Sequence, residues 1–292
     1  MMNTRIDRIQ NRSPLWTYRY LRRFLSGQEP LTSFDDTHPC VFVLSTGRVG
    51  TQTLTSLLGL AKNVFVYHEP VPQLFKLSKL SYASTAENDN LDVLAEAFML
   101  AREEQLNHSL NSCRGYIETG PHATFLAPAI LEAIPSVRFI HLVRNPRDVV
   151  RSGMRRKWYE GNPADDTRIV PRPGSEAGQL WNAYGAFQKN LWLWTETNQW
   201  IFDFSSGVPA EQLMLVRSEE MFAAEEKTLK NLFSFIGSPI PSKTKISRVL
   251  GQVINAQSEG EFPESPDWSD AMHDDFATIA GKMAKHFNYE VQ

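Results

Sequence analysis

Short apolar runs alternating with longer helical stretches constrain this chain more than any other feature. The runs are Val41–Leu44, Val64–Tyr67, Tyr116–Ile117, Val137–Val143 and Leu213–Val216. Helical periodicity occupies Gln52–Ala61, Leu91–Leu110, Thr124–Ala133, Pro146–Lys157, Leu180–Phe204 and Met221–Phe235, with a last helix over Asp270–His286. Strands that alternate with helices pair in parallel, because a helix must carry the chain back before the next strand begins. The pattern predicts an α/β fold with a central parallel sheet flanked by helices, starting at Pro39. Ligands of such sheets sit at the carboxyl ends of the strands.

Two stretches at predicted strand ends carry chemistry. The first is VFVLSTGRVGTQTL, residues 41–54. A strand, a glycine turn and a helix start gather free backbone N–H groups at one point, which makes an anion site. Gly47 and Gly50 let the backbone approach a ligand closely. Thr51 and Thr53 add hydroxyl donors. The nucleoside-triphosphate version of this loop ends in Gly-Lys-Ser/Thr, and no lysine is present here. Arg48 stands instead as a cation that can grip two oxygens at once. The whole chain of 292 residues has a net charge of −3, so any anion site is local and the chain is no general nucleic-acid binder.

The second stretch is RFIHLVRNPRDVVRSGMRRKWY, residues 138–159. A strand ends in Arg144, Asn145 can cap the following helix, and Pro146 suits its first position. Asp148 falls where a capping box wants an acid. Ser152 lies two turns on, on the same helix face as Asn145. Arg144 and Ser152 could therefore meet at one anion. Arg151, Arg155, Arg156 and Lys157 add positive potential, or form a solvated basic face.

Together the two stretches resemble the sulfotransferases that use 3′-phosphoadenosine 5′-phosphosulfate (PAPS). The family's first loop reads Lys or Arg, any residue, Gly, Thr, and this chain reads Arg48-Val49-Gly50-Thr51-Gln52. Its second signature is an Arg at a strand end and a Ser eight residues later, matched by Arg144 and Ser152. A weaker match covers LMLVRSEEMFAAEEKTLKNLFSFIG, residues 213–237. The resemblance implies a sulfotransferase fold like that of P-loop nucleotide kinases. It implies donor binding by Thr46, Gly47, Arg48, Val49, Gly50, Thr51 and Gln52 at the 5′-phosphosulfate, and by Arg144 and Ser152 at the 3′-phosphate. It implies PAPS as co-substrate, adenosine 3′,5′-bisphosphate (PAP) as product, and no metal. The tyrosylprotein and carbohydrate branches are nearer than the cytosolic branch. Thr53 stands where the cytosolic enzymes carry an adenine-stacking Trp, so adenine packing must come from another residue.

Transfer to a hydroxyl needs a base. The segment VFVYHEP, residues 64–70, ends the second strand and offers His68 and Glu69. The resemblance to the tyrosylprotein branch favours Glu69, with Arg48 steadying charge on the leaving oxygen. The cytosolic branch carries its catalytic His after the third strand, and His122 in YIETGPHATFLAP, residues 116–128, is the rival. Glu118 would orient either the acceptor or Arg48. The acceptor is a hydroxyl-bearing small molecule or glycan, with a glycan or glycolipid favoured. Two other readings are kept: a kinase-like phosphotransferase, and a non-catalytic nucleotide-binding protein.

Residues 1–38 form a basic amphipathic arm before a sulfotransferase domain at 39–292. Arginines from Arg5 to Arg23 interleave with Leu15, Trp16, Tyr18, Leu21, Phe24 and Leu25. The arm suits either peripheral contact with a membrane surface or packing on the domain with its arginines solvated. Cys40 and Cys113 make no disulfide framework, and no leader or membrane span is read, so a reducing, cytoplasmic setting is expected. Glu160–Glu176 reads as a long Pro/Gly-rich loop able to cap a site. Trp181, Trp192, Trp194 and Trp200 read as a core stripe, while Trp158 and Tyr159 could line an acceptor pocket.

Overall fold

The computed structural model describes residues 34–84, 90–252 and 260–291. Its centre is strand β1, Cys40–Leu44, with the sequence CVFVL and every residue buried. The side chains alternate between faces: Val41 and Val43 join one apolar cluster, and Cys40, Phe42 and Leu44 join the other. Apolar residues at every position are what a strand covered on both faces requires. Strands β2 (Val64–His68), β3 (Gly115–Thr119), β4 (Arg138–Val143) and β5 (Leu213–Arg217) complete a sheet of order β2-β3-β1-β4-β5. All pairings are parallel, with Phe42 opposite Glu118 on one side and Phe139 on the other.

Helices cover both faces. Thr51–Leu58, Pro146–Met154 and Glu226–Phe235 bury Leu54, Val150 and Leu232 against Val41 and Val43. Leu91–Asn111 and Ala127–Ala133 bury Phe98 and Ile130 against Phe42 and Leu44. From β1 the chain crosses past β3 to build β2, returns to β3, then passes to the far side of β1 for β4. The loop after β1 lies where these connections diverge, the position at which open parallel sheets bind ligands.

The expected strands all form, and the third extends through Glu118 and Thr119. A glutamate looks like a strand end in sequence; here it is buried against a buried arginine, Arg102. Several expected helices are shorter or divided. Pro146–Met154 stops before Lys157, whose φ is 55°. Thr124–Ala133 is a tight 3₁₀ segment, Pro121–Leu126, followed by Ala127–Ala133. The long helix begins at Ala186 after Gly185, leaving Trp181 outside it. Ala224, at φ 54°, separates Ser218–Phe222 from Glu226–Phe235, and Ala280 separates Asp270–Ile279 from Gly281–His286. The arm up to residue 33 lies outside the described residues, while Phe34 is buried in the second cluster. Both cysteines are free, Cys40 buried and Cys113 exposed. Among the described residues no helix is long and apolar enough to cross a membrane.

Candidate active site

The loop after β1 is fixed from two sides. Thr124, after β3, accepts from Ser45 N at 2.9 Å and donates to Ser45 O at 3.0 Å. Ser218, after β5, donates its hydroxyl to Val49 O. Between these clamps Gly47, Arg48 and Gly50 adopt φ of 80°, 60° and 91°. Gly50 is held there by space as well: a Cβ would stand 2.6 Å from Phe222 Cζ. Gly50 heads the helix Thr51–Leu58, and no side chain caps that helix. Its first N–H groups and its dipole are therefore available to an anion.

The left-handed turn at Arg48 directs its side chain across the sheet to the other signature. Arg48 Nε donates to Ser152 Oγ at 3.0 Å. Arg144, at the end of β4, brings Nη1 to 3.5 Å from Arg48 O, and Trp194 Nε1 fixes the Arg144 carbonyl at 3.0 Å. So the resemblance's donor residues on the loop and on the second signature share one crevice. Burial lowers the Arg48 pKa to about 10, the charges of Arg156 and Arg144 push the same way, and Glu69 opposes them. Arg48 stays charged at neutral pH. Guanidinium groups that repel one another in a half-buried crevice are stabilised by an anion between them.

Helix Pro146–Met154 is capped differently from the expectation. Asn145 accepts from Arg147 N at 2.9 Å, as expected of a cap. The cap's own N–H goes to Glu219 Oε1 at 2.8 Å and not to Asp148. Asp148 instead pairs with Arg144 at 3.0 Å. A carboxylate from the element after β5 thus takes the capping-box role.

The candidate bases gather around Gly120. Glu69 follows β2 with φ 47°, its N–H bonded to Thr119 O at 3.0 Å. His68 is engaged elsewhere: Nδ1 lies 3.0 Å from Thr119 Oγ1, which lies 2.6 Å from Thr55 Oγ1. Burial lowers the His68 pKa despite Glu69, whose Oε1 is 4.0 Å from Nε2. A Cβ on Gly120 would stand 2.8 Å from Glu69 Cγ and 3.4 Å from His122 Cε1. These two candidates therefore meet at one face of a single glycine. His122 is buried, with its ring edge-on to Phe75 at 4.8 Å. His122 Nε2 lies 3.3 Å from Glu118 Oε1, within ion-pair range but bent outside hydrogen-bond geometry.

Glu118 does not orient Arg48. Arg102 grips it from two nitrogens at 2.6 and 2.9 Å, and Tyr116 donates at 2.6 Å. Burial would raise the Glu118 carboxyl, but His122 and Arg102 outweigh it and hold it at about 2. Trp158 and Tyr159 serve the loop that follows them. Arg168 lies over Trp158 at 4.1 Å, and Tyr159 OH donates to Ile169 O at 2.8 Å.

A family model described as the sulfotransferase family matches residues 39–242. The chain belongs to the sulfotransferase family. Sulfuryl transfer is the activity that membership carries. Among solved structures, a sulfotransferase domain from the curacin biosynthetic pathway is similar, with a TM-score of 0.52 and 16% identity over 87% of this chain and 99% of that one. The sulfotransferase domain of the Synechococcus PCC 7002 olefin synthase has a TM-score of 0.48 and 16% identity, over 88% and 97%. A mouse sulfotransferase complexed with PAP has a TM-score of 0.48 and 16% identity, over 88% of each chain. The likeness to the curacin domain is one of fold. No curated protein sequence matches the chain.

Two residues of this sulfotransferase escaped the sequence reading. Phe222 is a part-exposed ring beside Gly50, with the Arg144 guanidinium 5.7 Å from its centroid. Glu219 caps the helix Pro146–Met154, as above. Both come from the short helix Ser218–Phe222. The sequence signal was SEEMF directly after an apolar run, which marks a strand end in a parallel sheet and so the ligand-bearing edge.

Proposed function

We propose that this sulfotransferase moves the sulfuryl group of PAPS to a hydroxyl of a glycan or glycolipid. The observation that carries the reading is the Arg48–Ser152 bond, which ties the uncapped helix start to the Arg144 strand end. That span of cationic crevice suits a ligand with phosphate at both ends of a nucleoside. The N–H groups of residues 47–52 and Arg48 would hold the 5′-phosphosulfate, and Arg144 and Ser152 the 3′-phosphate. Phe222, beside Gly50, would supply the face for adenine that Thr53 cannot.

In this scheme Glu69 takes the proton of the acceptor hydroxyl. The freed oxygen pair forms the new O–S bond as the S–O bond to phosphate breaks. The leaving electrons would collect on a phosphate oxygen, which the N–H groups of the helix start would stabilise, joined by Arg48 once it turns from Ser152. Preorganised donors of this kind typically contribute about 3–4 kcal/mol of barrier lowering. A second reading makes His122 the base. It is favoured by the ionised Glu118 behind the ring and by Nδ1, which has no hydrogen-bond partner among the described residues.

Incubating the protein with PAPS and cell extract, then seeking sulfated products by mass spectrometry, tests the reading. PAP release together with a sulfated hydroxyl compound is expected. Nucleotide binding without any product would favour the non-catalytic alternative. Transfer that EDTA abolishes and Mg²⁺ restores would favour the phosphotransferase alternative. The basic arm is proposed to contact membranes, which predicts salt-sensitive binding to anionic liposomes that is lost on deleting residues 1–30.

A further inference from the structure

Beside the loop lies a cavity of about 70 Å³, bounded by Thr46 and His122 on its donor side. Phe75 and Phe125 form apolar walls. Three further facts about its lining stand out chemically. Ser78, His122 and Thr197 all face it, and all are nearly fully buried, at 3%, 1% and 1% exposure. Among the described residues Ser78 Oγ, His122 Nδ1 and Thr197 Oγ1 have no hydrogen-bond partner. Buried polar groups in folded proteins are nearly always paired, so unpaired ones gathered on one cavity point to a polar guest. The helices Phe75–Ala83 and Ala186–Ser205 and the turn after β3 each contribute one, so no single local defect explains them.

The roof is fastened down. Residues 167–169 cover the cavity. Lys79 Nζ donates to Asp166 O at 2.7 Å, Tyr159 OH to Ile169 O at 2.8 Å, and Arg168 lies over Trp158. The size is therefore a constraint on the guest. An engineered cavity of about 150 Å³ accommodates benzene, and this one has half that volume. The enclosed part takes a few hydroxyl-bearing carbons, and a larger guest would extend out through the open side.

We propose that this cavity binds the non-reacting hydroxyls of the acceptor, and that the acceptor is a compact polyol such as a sugar edge. The proposal rests on the sulfuryl-transfer reading above. One hydroxyl would lie at Glu69, which packs with His122 against the same face of Gly120. Its neighbours would reach into the cavity toward His122, Ser78 and Thr197. Hydroxyls both donate and accept, so they satisfy a mixed set of serine, threonine and imidazole atoms. A site built to bond hydroxyls rejects analogues that lack them. A phenol or a simple alcohol would leave these atoms unpaired.

The test uses the full chain, PAPS and a panel of acceptors. Methyl glycosides, glycerol and a cyclitol represent polyols; p-nitrophenol and 1-octanol represent single hydroxyls. A glycolipid bearing one of the same sugars separates a membrane headgroup from a free sugar. At least one polyol should exceed both single-hydroxyl compounds by about a hundredfold or more in kcat/KM. Thr197→Val and Ser78→Ala should each raise the polyol KM by roughly three- to tenfold, and Thr197→Ser should restore it. PAP affinity, measured by calorimetry, should be the same in all variants, which also shows that they fold. Preference for p-nitrophenol, or an unchanged polyol KM in both variants, overturns the proposal and leaves the cavity to ordered water. A chain that binds PAP but sulfates no polyol also overturns it, with the donor reading intact. A chain that binds no PAP removes the donor reading and this proposal with it.

Discussion

Glu69 and His122 lie against the same face of Gly120, so substitution chemistry separates them better than proximity does. Glu69→Gln keeps the side chain's shape and removes its basicity. Loss of a general base typically costs about 10²–10⁴ in rate. We expect that loss in kcat, with PAP affinity unchanged, because the donor's proposed contacts lie on other residues. If Glu69→Gln turns over normally and His122→Gln is dead, the base is His122. Phe222 makes a second residue-scale claim. Base–aromatic stacking is worth about 1–3 kcal/mol by alanine substitution, or roughly tenfold to a hundredfold in affinity. Phe222→Ala should weaken PAP by that factor, and Phe222→Trp should retain binding. Protection by inorganic sulfate against thermal unfolding, which involves no base, should not change. Equal loss for both ligands would show that Phe222 only shapes the loop.

The turn between β1 and its helix depends on elements far away in sequence. Gly50 is fixed by φ 91° and by the Phe222 ring, which a Cβ would approach to 2.6 Å. Left-handed backbone costs a residue with a Cβ about 1–2 kcal/mol. Gly50→Ala should lose at least that in denaturant unfolding, and less in a Phe222→Ala background, where the clash is gone. An additive double variant would mean that the ring moves aside freely. This dependence also marks the limit of what the sequence disclosed. Val41–Leu44, the glycine turn and the Arg144 strand end were legible because each is a local pattern whose meaning does not require a partner. Asp148 was assigned to the cap because spacing along a helix favours it. Glu219 takes that place from another element, and Asp148 turns to Arg144. Glu118 looked like a strand end or a site residue because nothing local announces Arg102. Phe222 lay hidden for the same reason: its meaning comes from Gly50, and only the order β1-β4-β5 places them together.

At the scale of the whole molecule, the sheet carries a buried polar pair that ties stability to pH. His141 on β4 is buried and donates from Nε2 to Asn198 Oδ1 at 2.8 Å. Burial lowers its pKa to about 4, against the partial opposition of Asn198. The unfolded chain, with a His pKa near 6.5, therefore takes up a proton that the fold refuses. Stability is complete above about pH 6.5 and falls as pH drops from there toward 4, by about 3 kcal/mol in all. Between pH 6.5 and 4.5 the midpoint of urea unfolding should fall, and His141→Gln should flatten that dependence. A wild-type profile that is level across this window would contradict the burial argument. The central claim is that one crevice, assembled from both signatures across the sheet, recognises the donor at both of its phosphates. Calorimetric titration of PAP and of adenosine 5′-phosphosulfate into the wild type and Arg144→Ala tests it most directly. A charge-assisted bond to phosphate is worth about 1.5–3 kcal/mol, so PAP should bind the variant roughly tenfold to a hundredfold more weakly. Adenosine 5′-phosphosulfate, which lacks the 3′-phosphate, should bind both proteins alike. Equal losses for the two ligands would contradict the account.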